Sequence, residues 1–232
     1  MLQLRPRAAL DGGDYGWLKA RHHFAVSDLG NRDHGPVGPI VVWNDDEIAP
    51  GSGFGLHGHA NMEIISYVRQ GVVTHRDSLG NRGVTSAGDV QVMSAGTGVR
   101  HSEHNEGKEP LKLFQIWLRP RVSGGEPFWN SRTFPKDNRS DRWTMLASGS
   151  PDDADALPMR ADARVYGTSI RSGASLPYRF AAGHRAYVAA ATGSVLINGL
   201  RLEAGDGLAV TDEQEITISA IDDSELILVD AA

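Results

Sequence analysis

Short apolar segments separated by glycine-containing turns recur along the whole chain, and this rhythm restricts the possible folds more than any other feature. In one such segment, odd-numbered residues such as Leu113 fall on one side of an extended strand and even-numbered residues such as Phe114 on the other. Alternation with a period of two indicates β-strands, and strands at short, regular spacing indicate a sandwich or a barrel. The chain is therefore predicted to be all-β. The clearest segments are PIVVWN (39–44), MEIISYV (62–68), DVQVMS (89–94) and LKLFQIWL (111–118).

The chain of 232 residues is long enough for two domains of about 100 residues each. A segment rich in Ser, Pro, Asp and Ala at 146–164 has the composition of a solvated connection. A faint internal repeat also supports two units, because strand, turn, strand, Ala-Gly-Asp and a further strand occur around 87–89 and again around 204–206. We predict two β domains, at residues 1–135 and 136–232.

Composition excludes several classes of site and partner. The sequence has no cysteine, which excludes disulfides, thiolate nucleophiles and metal sites with cysteine ligands. The formal net charge is -6 and no stripe of Lys and Arg is present, so no nucleic-acid partner is predicted. No apolar run approaches the roughly 20 residues of a membrane helix, and the N-terminal segment lacks the pattern of a signal peptide. We therefore expect a cytoplasmic protein that does not bind membranes.

Two clusters of histidine indicate a metal site. His57 and His59 are two residues apart, so on a strand they point to the same face at a separation of about 6.6 Å. His101 and Glu103 have the same relation about forty residues later. If the two strands lie opposite each other, three imidazoles and one carboxylate can converge on one ion. Nitrogen and oxygen ligands suit iron, manganese, nickel, copper or zinc.

Other histidines and a second glutamate are weaker candidates. Glu63 competes with Glu103 for the fourth position, but a regular strand would place it about 13 Å beyond His59. His104 is three residues from His101 and is expected on the opposite face. His75 is interpreted as a surface histidine. The second half contains only His184, so no second site of this type is predicted there.

The spacing around these residues resembles the two motifs of the cupin superfamily. Gly51, His57, His59 and Glu63 match the spacing of the first motif. The second motif is matched by Gly88, Gly96, His101 and Asn105, although Ser94 stands where proline is usual. Four longer stretches resemble the pirin family in particular. They are RHHF (21–24), NDDEIAPGSGFGLHGHANMEIISYV (44–68), GDVQVMSAGTGVRHSEHN (88–105) and LKLFQIWL (111–118).

The resemblance implies a bicupin, with two double-stranded β-helix (jelly-roll) barrels. The first barrel would hold the metal through His57, His59, His101 and Glu103, because pirins use the glutamate two residues after the third histidine. Glu63 would then either contact a metal ligand without touching the ion or be a partner for a nearby polar side chain. The second barrel would be a degenerate cupin without metal ligands.

Within the pirin family, these stretches resemble the bacterial pirin-like proteins that have quercetin 2,3-dioxygenase activity. The resemblance implies an enzyme that opens the heterocyclic ring of a flavonol with O2, releasing carbon monoxide. At the metal, Glu103 is expected to take the proton of the flavonol 3-hydroxyl as a general base. The expected cofactor is one divalent transition metal, Fe(II) by family, while Ni, Mn, Co, Cu and Zn are chemically acceptable. The alternative is a non-enzymatic, metal-binding pirin that acts as a redox-sensitive regulator or a cofactor for a protein partner.

Overall fold

The computed structural model describes residues 1–26, 30–135 and 139–232. Within these ranges the chain forms strands β1 to β22 and a 3-10 turn at Arg7–Ala9, and no α-helix occurs in them. The strands form four sheets, two of seven strands and two of four, and neighbouring strands run antiparallel except for the β13 and β14 pair. The prediction of an all-β chain is confirmed.

The first half of the chain forms a seven-stranded sheet, sheet I, and a four-stranded sheet, sheet II. Sheet I has the order β12-β9-β6-β11-β4-β3-β2, and sheet II has the order β5-β10-β7-β8. The strands of sheet I are β2 Asp11–Asp14, β3 Leu18–His22, β4 Ile40–Ile48, β6 Glu63–Gln70, β9 Val90–Ser94, β11 Leu111–Leu118 and β12 Phe128–Arg132. Those of sheet II are β5 Gly53–His59, β7 Val72–Asp77, β8 Arg82–Ser86 and β10 Val99–His104.

The second half repeats this arrangement with a seven-stranded sheet III and a four-stranded sheet IV. Sheet III has the order β1-β20-β17-β22-β15-β13-β14, and sheet IV has the order β16-β21-β18-β19. The strands of sheet III are β1 Leu2–Arg5, β13 Thr144–Ser148, β14 Leu157–Pro158, β15 Ala163–Ile170, β17 Arg185–Thr192, β20 Gly207–Val210 and β22 Ser224–Ala231. Those of sheet IV are β16 Ser175–Arg179, β18 Ser194–Ile197, β19 Leu200–Glu203 and β21 Glu215–Ala220.

The two large sheets pack against each other, so each is buried on both faces. Trp43 and Phe114 of sheet I join Tyr187 and Val229 of sheet III in one apolar cluster. The ring centroids of Trp43 and Tyr187 are 5.2 Å apart. The opposite face of sheet I packs on sheet II, where Leu113 of β11 meets Val73 of β7. This double burial explains why LKLFQIWL carries apolar side chains on both faces.

The N-terminal strand belongs to the sheet of the second half. Residues of β1 pair with β20 in antiparallel register, from Leu2 with Val210 to Arg5 with Gly207. The chain then crosses to sheet I through the turn at Arg7–Ala9. The boundary predicted between residues 135 and 136 falls at residues 136–138, which lie outside the described residues, and the two-domain division stays a prediction.

None of the helical segments in the described part of the chain has the length and apolar character that crossing a lipid bilayer requires.

Candidate metal centre

Three imidazoles meet where β5 and β10 lie side by side. The antiparallel register pairs His101 with His57, and Val99 with His59. Ring centroids are 4.5 Å apart for His57 and His101, 5.1 Å for His59 and His101, and 4.8 Å for His57 and His59. One ring nitrogen from each lies within 4.8 Å of the others. Leu56, which immediately precedes His57 on β5 and points to the opposite face, is 57% exposed, as strand alternation requires.

The nitrogens of this cluster are left free to bind a cation. His57 directs Nδ1 to the carbonyl oxygen of Gly55 at 2.7 Å, which makes Nδ1 the protonated nitrogen and leaves Nε2 available. His59 Nε2 and both ring nitrogens of His101 are buried and have no hydrogen-bond partner among the described residues. Because buried polar groups are normally paired, several unpaired imidazole nitrogens in one place indicate a site for a metal ion. The residues present therefore fit a divalent transition metal.

Electrostatics keep these imidazoles in the form that binds metal. Burial, followed by the neighbouring His57, lowers the pKa of His59 to about 4. Burial, followed by the nearby His57 and His59, lowers the pKa of His101 to about 3. Both side chains are consequently neutral at pH 7, and a neutral imidazole is the ligand for a cation.

Glu103 lies beside this cluster but is enclosed by amides. Its Oε1 accepts hydrogen bonds from Gln91 Nε2 at 2.6 Å and Ser66 Oγ at 3.2 Å, and its Oε2 accepts one from Gln115 Nε2 at 2.6 Å. Burial raises the pKa of Glu103 above its ordinary value. A carboxylate oxygen of Glu103 lies within 4.8 Å of nitrogens of His101 and of a further histidine, His75.

The structure thus brings the predicted site residues together in two overlapping groups. His57, His59 and His101 form one group, and Glu103 joins His101 in the other. The backbone explains the offset, because the register between β5 and β10 shifts by a bulge between His101 and Glu103. The assignment of all four residues to one ion stays a prediction.

Glu63, the competing glutamate, is engaged elsewhere. Its Oε1 accepts a hydrogen bond from Ser94 Oγ at 2.7 Å, and its Oε2 accepts one from the backbone N–H of Arg160 at 2.9 Å. Arg160 belongs to the second half of the chain, so Glu63 ties the two halves together. The expectation that Glu63 partners a nearby polar group is confirmed, and its partner is the serine that replaces the usual proline of the motif.

His75 is the residue that the sequence interpretation missed. The expectation of a surface position is wrong, because the His75 side chain is 0% exposed. The physical reason is that β7 is covered by Trp129 of β12, whose indole stacks on the imidazole with centroids 4.8 Å apart. The signal was present in the sequence, since Val73, His75 and Asp77 alternate on one face as His101 and Glu103 do.

Asp46 is an unexpected buried acid in the first barrel. It is 1% exposed, and neither carboxylate oxygen has a hydrogen-bond partner among the described residues. Burial, followed by the nearby charges of Asp45 and Glu103, raises the pKa of Asp46 to about 8. The side chain is therefore predominantly a neutral carboxylic acid at pH 7. Polar groups extend across this part of the barrel interior, from Asp46 past Glu103 to the histidine cluster.

An opening to the surface adjoins His59. A shallow depression of about 450 Å³ is lined by His59, Ser78 and Arg100 among other residues. The indole of Trp117 flanks the imidazole of His59 at a centroid distance of 4.9 Å. A small molecule entering from this side would reach the His59 edge of the cluster first.

Each half of the chain forms a pair of packed, mainly antiparallel sheets, and the first half contains the histidine cluster. This arrangement defines a bicupin. Comparison with known proteins agrees: residues 3–118 match the family model described as Pirin, and residues 145–231 match the quercetinase C-terminal cupin domain. The chain belongs to the pirin family, and the predicted bicupin fold is confirmed.

Several relatives match over nearly their full length. A pirin-like protein from Caulobacter vibrioides is 51% identical over 100% of both chains. A quercetin 2,3-dioxygenase from Escherichia coli is 38% identical, covering 99% of this chain and 98% of that protein. The crystal structure of the bacterial pirin YhhW from Escherichia coli in complex with nickel(II) has a TM-score of 0.92 and 36% identity, covering 100% of this chain and 99% of that one.

Proposed function

We propose that the protein is a metal-dependent dioxygenase that cleaves the heterocyclic ring of a flavonol with O2. The observation that carries the proposal is the cluster of His57, His59 and His101, in which buried nitrogens of His59 and His101 have no partner among the described residues. The relative named quercetin 2,3-dioxygenase supports the reaction, and the nickel-bound relative supports the metal.

The imidazoles of His57, His59 and His101 would hold one divalent ion, with Glu103 as the fourth ligand. Such a set leaves the ion with net positive charge and open positions. Fe(II) is our first choice for the cofactor, and Ni, Mn, Co, Cu and Zn are compatible with the same nitrogen and oxygen donors. When bound, the ion would act as a Lewis acid that stabilises the oxyanion of the flavonol 3-hydroxyl.

Glu103 would accept the proton of that hydroxyl. Gln91 and Gln115 each donate a hydrogen bond to a different oxygen of the carboxylate, and these bonds fix its orientation. The ring-opening step would then consume one O2 and release carbon monoxide with a ring-opened ester. Trp117 and the other apolar groups around His59 would limit the access of water to the bound flavonol.

The deciding experiment follows the flavonol absorbance with protein loaded with Fe(II) or nickel, in air and under anaerobic conditions. We expect loss of the flavonol only in air, with carbon monoxide as a product. No oxygen-dependent loss with any of the candidate metals would refute the enzyme. In that case, reproducible capture of one protein partner by the metal-loaded form would favour the regulator instead.

The Glu103→Gln variant tests the role of the base. We expect it to retain weaker metal binding and to lose about 10²- to 10⁴-fold in turnover, the usual contribution of a positioned base. Elemental analysis and flavonol turnover measure the two effects separately. In this variant the new side-chain NH2 group at position 103 would face an N–H donor of Gln91 or Gln115. The thermal unfolding of the variant must therefore be compared with that of the original protein. Unchanged turnover would contradict the assignment of Glu103.

A further inference from the structure

His75 occupies a place from which it can reach the same centre. It lies on β7 directly opposite Glu103 of β10 in the antiparallel register. One of its ring nitrogens lies within 4.8 Å of a nitrogen of His101 and an oxygen of Glu103, and all three side chains are buried. His101 thus belongs both to this group and to the group it forms with His57 and His59.

The orientation of His75 is that of a metal ligand. Its Nε2 contacts Asp77 Oδ2 at 3.1 Å, which leaves Nδ1 as the free nitrogen. Nδ1 is buried and has no partner among the described residues. Histidines that bind metal generally donate their other N–H to a carboxylate or a backbone carbonyl, which fixes the tautomer. His57 follows the same pattern through its contact with the Gly55 carbonyl.

The surrounding residues hold this arrangement rigidly. Asp77 also accepts hydrogen bonds from the backbone N–H groups of Leu79 at 2.9 Å and Asn81 at 3.0 Å. The indole of Trp129 is nearly parallel to the imidazole of His75, with an angle of 5° between the ring planes. A side chain at Gly83 would overlap that indole, so the glycine makes room for the stack. A histidine that only filled space would need none of these supports.

We propose that His75 is a fourth imidazole ligand of the metal centre. Besides the outer position of the proposed function, with His57, His59, His101 and Glu103 as ligands, the ion has an inner position between His75, His101 and Glu103. A single ion moves between them, because His101 is common to both groups and one carboxylate cannot offset two adjacent divalent charges. This inference rests on the metal centre of the proposed function, and it assigns that centre a second position.

Copper(II) is the spin probe for the test, and pulsed electron paramagnetic resonance counts the imidazoles coordinated to it. The test uses the full chain carrying His57→Ala and His59→Ala together, so that His75 itself is unchanged. We expect this double variant to keep one Cu(II) per chain with two coordinated imidazoles, those of His75 and His101. Adding His75→Gln should reduce the count to one. Adding His104→Ala instead is the matched control and should leave it at two.

The outcomes separate this inference from the proposed function. One coordinated imidazole in the double variant, or no copper bound there while the original protein binds it, would overturn the role of His75 and leave the outer site standing. A count of two that persists after His75→Gln would also overturn it. If the original protein binds no divalent metal at all, the proposed function is lost together with the inference.

Discussion

Asp46 offers the sharpest test of how this barrel treats a buried charge. On β4 its neighbours across the ladder are Leu113 and Ala20, which supply no hydrogen bond from their side chains. Burial raises the pKa of Asp46 from 3.8 to about 8. A difference of about four pKa units corresponds to about 6 kcal/mol between the two protonation states. This value is an upper limit, because water entry lowers the cost of ionising a buried group.

The sign of the pH dependence follows from proton binding. Between pH 4 and pH 8 the folded protein keeps the proton of Asp46, whereas the unfolded chain has lost it, so Asp46 lowers the free energy of unfolding as the pH rises. From pH 6 to pH 8 this loss amounts to at most about 3 kcal/mol. Asp46→Asn removes the titrating group. The variant should therefore gain stability relative to the original protein as the pH rises through this interval.

Urea unfolding at pH 6, 7 and 8 measures the difference in the free energy of unfolding between the metal-free variant and the metal-free original protein. We call this difference the stability gap. Glu47→Gln is the control on the same strand. A hydrogen bond from Lys19 lowers the pKa of Glu47, so Glu47 is ionised in both states above pH 6, and its stability gap should stay constant. An Asp46→Asn stability gap that is equal at pH 6 and pH 8 would refute the assignment of a neutral, buried acid.

Two further predictions concern the centre and its support. His101→Ala should weaken metal binding more than His57→Ala, because His101 belongs to both groups of ligands. His104→Ala should leave the affinity unchanged. Calorimetric titration with nickel measures these affinities, and equal losses for His101→Ala and His57→Ala would contradict the prediction. Gly83→Ala should destabilise the protein by about 1–3 kcal/mol, because its methyl group displaces the Trp129 indole. Chemical denaturation would detect this, with Gly55→Ala on β5 as the comparison, because a side chain there meets no atom within 4 Å. An equal cost at both positions would argue against the overlap.

The sequence alone could predict the parts of the site that depend on local geometry. His57 and His59 share a face because residues two apart on any strand do so, and the same holds for His101 and Glu103. Their meeting required only that β5 and β10 become neighbours, as the spacing of the two motifs indicates. The choice of Glu103 over Glu63 came from strand spacing together with family resemblance, and Glu63 instead accepts hydrogen bonds from Ser94 and Arg160.

The barrel interior could not be predicted in the same way. Gln115 alternates with apolar neighbours, and a polar residue in such a pattern is ordinarily placed toward solvent. Sheet I has no solvent face there, because sheet III covers one side and sheet II the other. Ser66, Gln91 and Gln115 are all buried, and each donates to Glu103 from a different strand.

Polar residues can be buried in this barrel because strands far apart in the chain complete one another's hydrogen bonds. Glu103 needs donors from β6, β9 and β11, and none of these strands is its ladder partner. An unpaired buried carboxylate is costly, so the donors and the acid must be retained together. The same cost applies to buried polar groups that have no hydrogen-bond partner. Buried nitrogens of His59, His75 and His101 have no donor or acceptor among the described residues, and the proposed metal positions would supply the partner that these nitrogens lack.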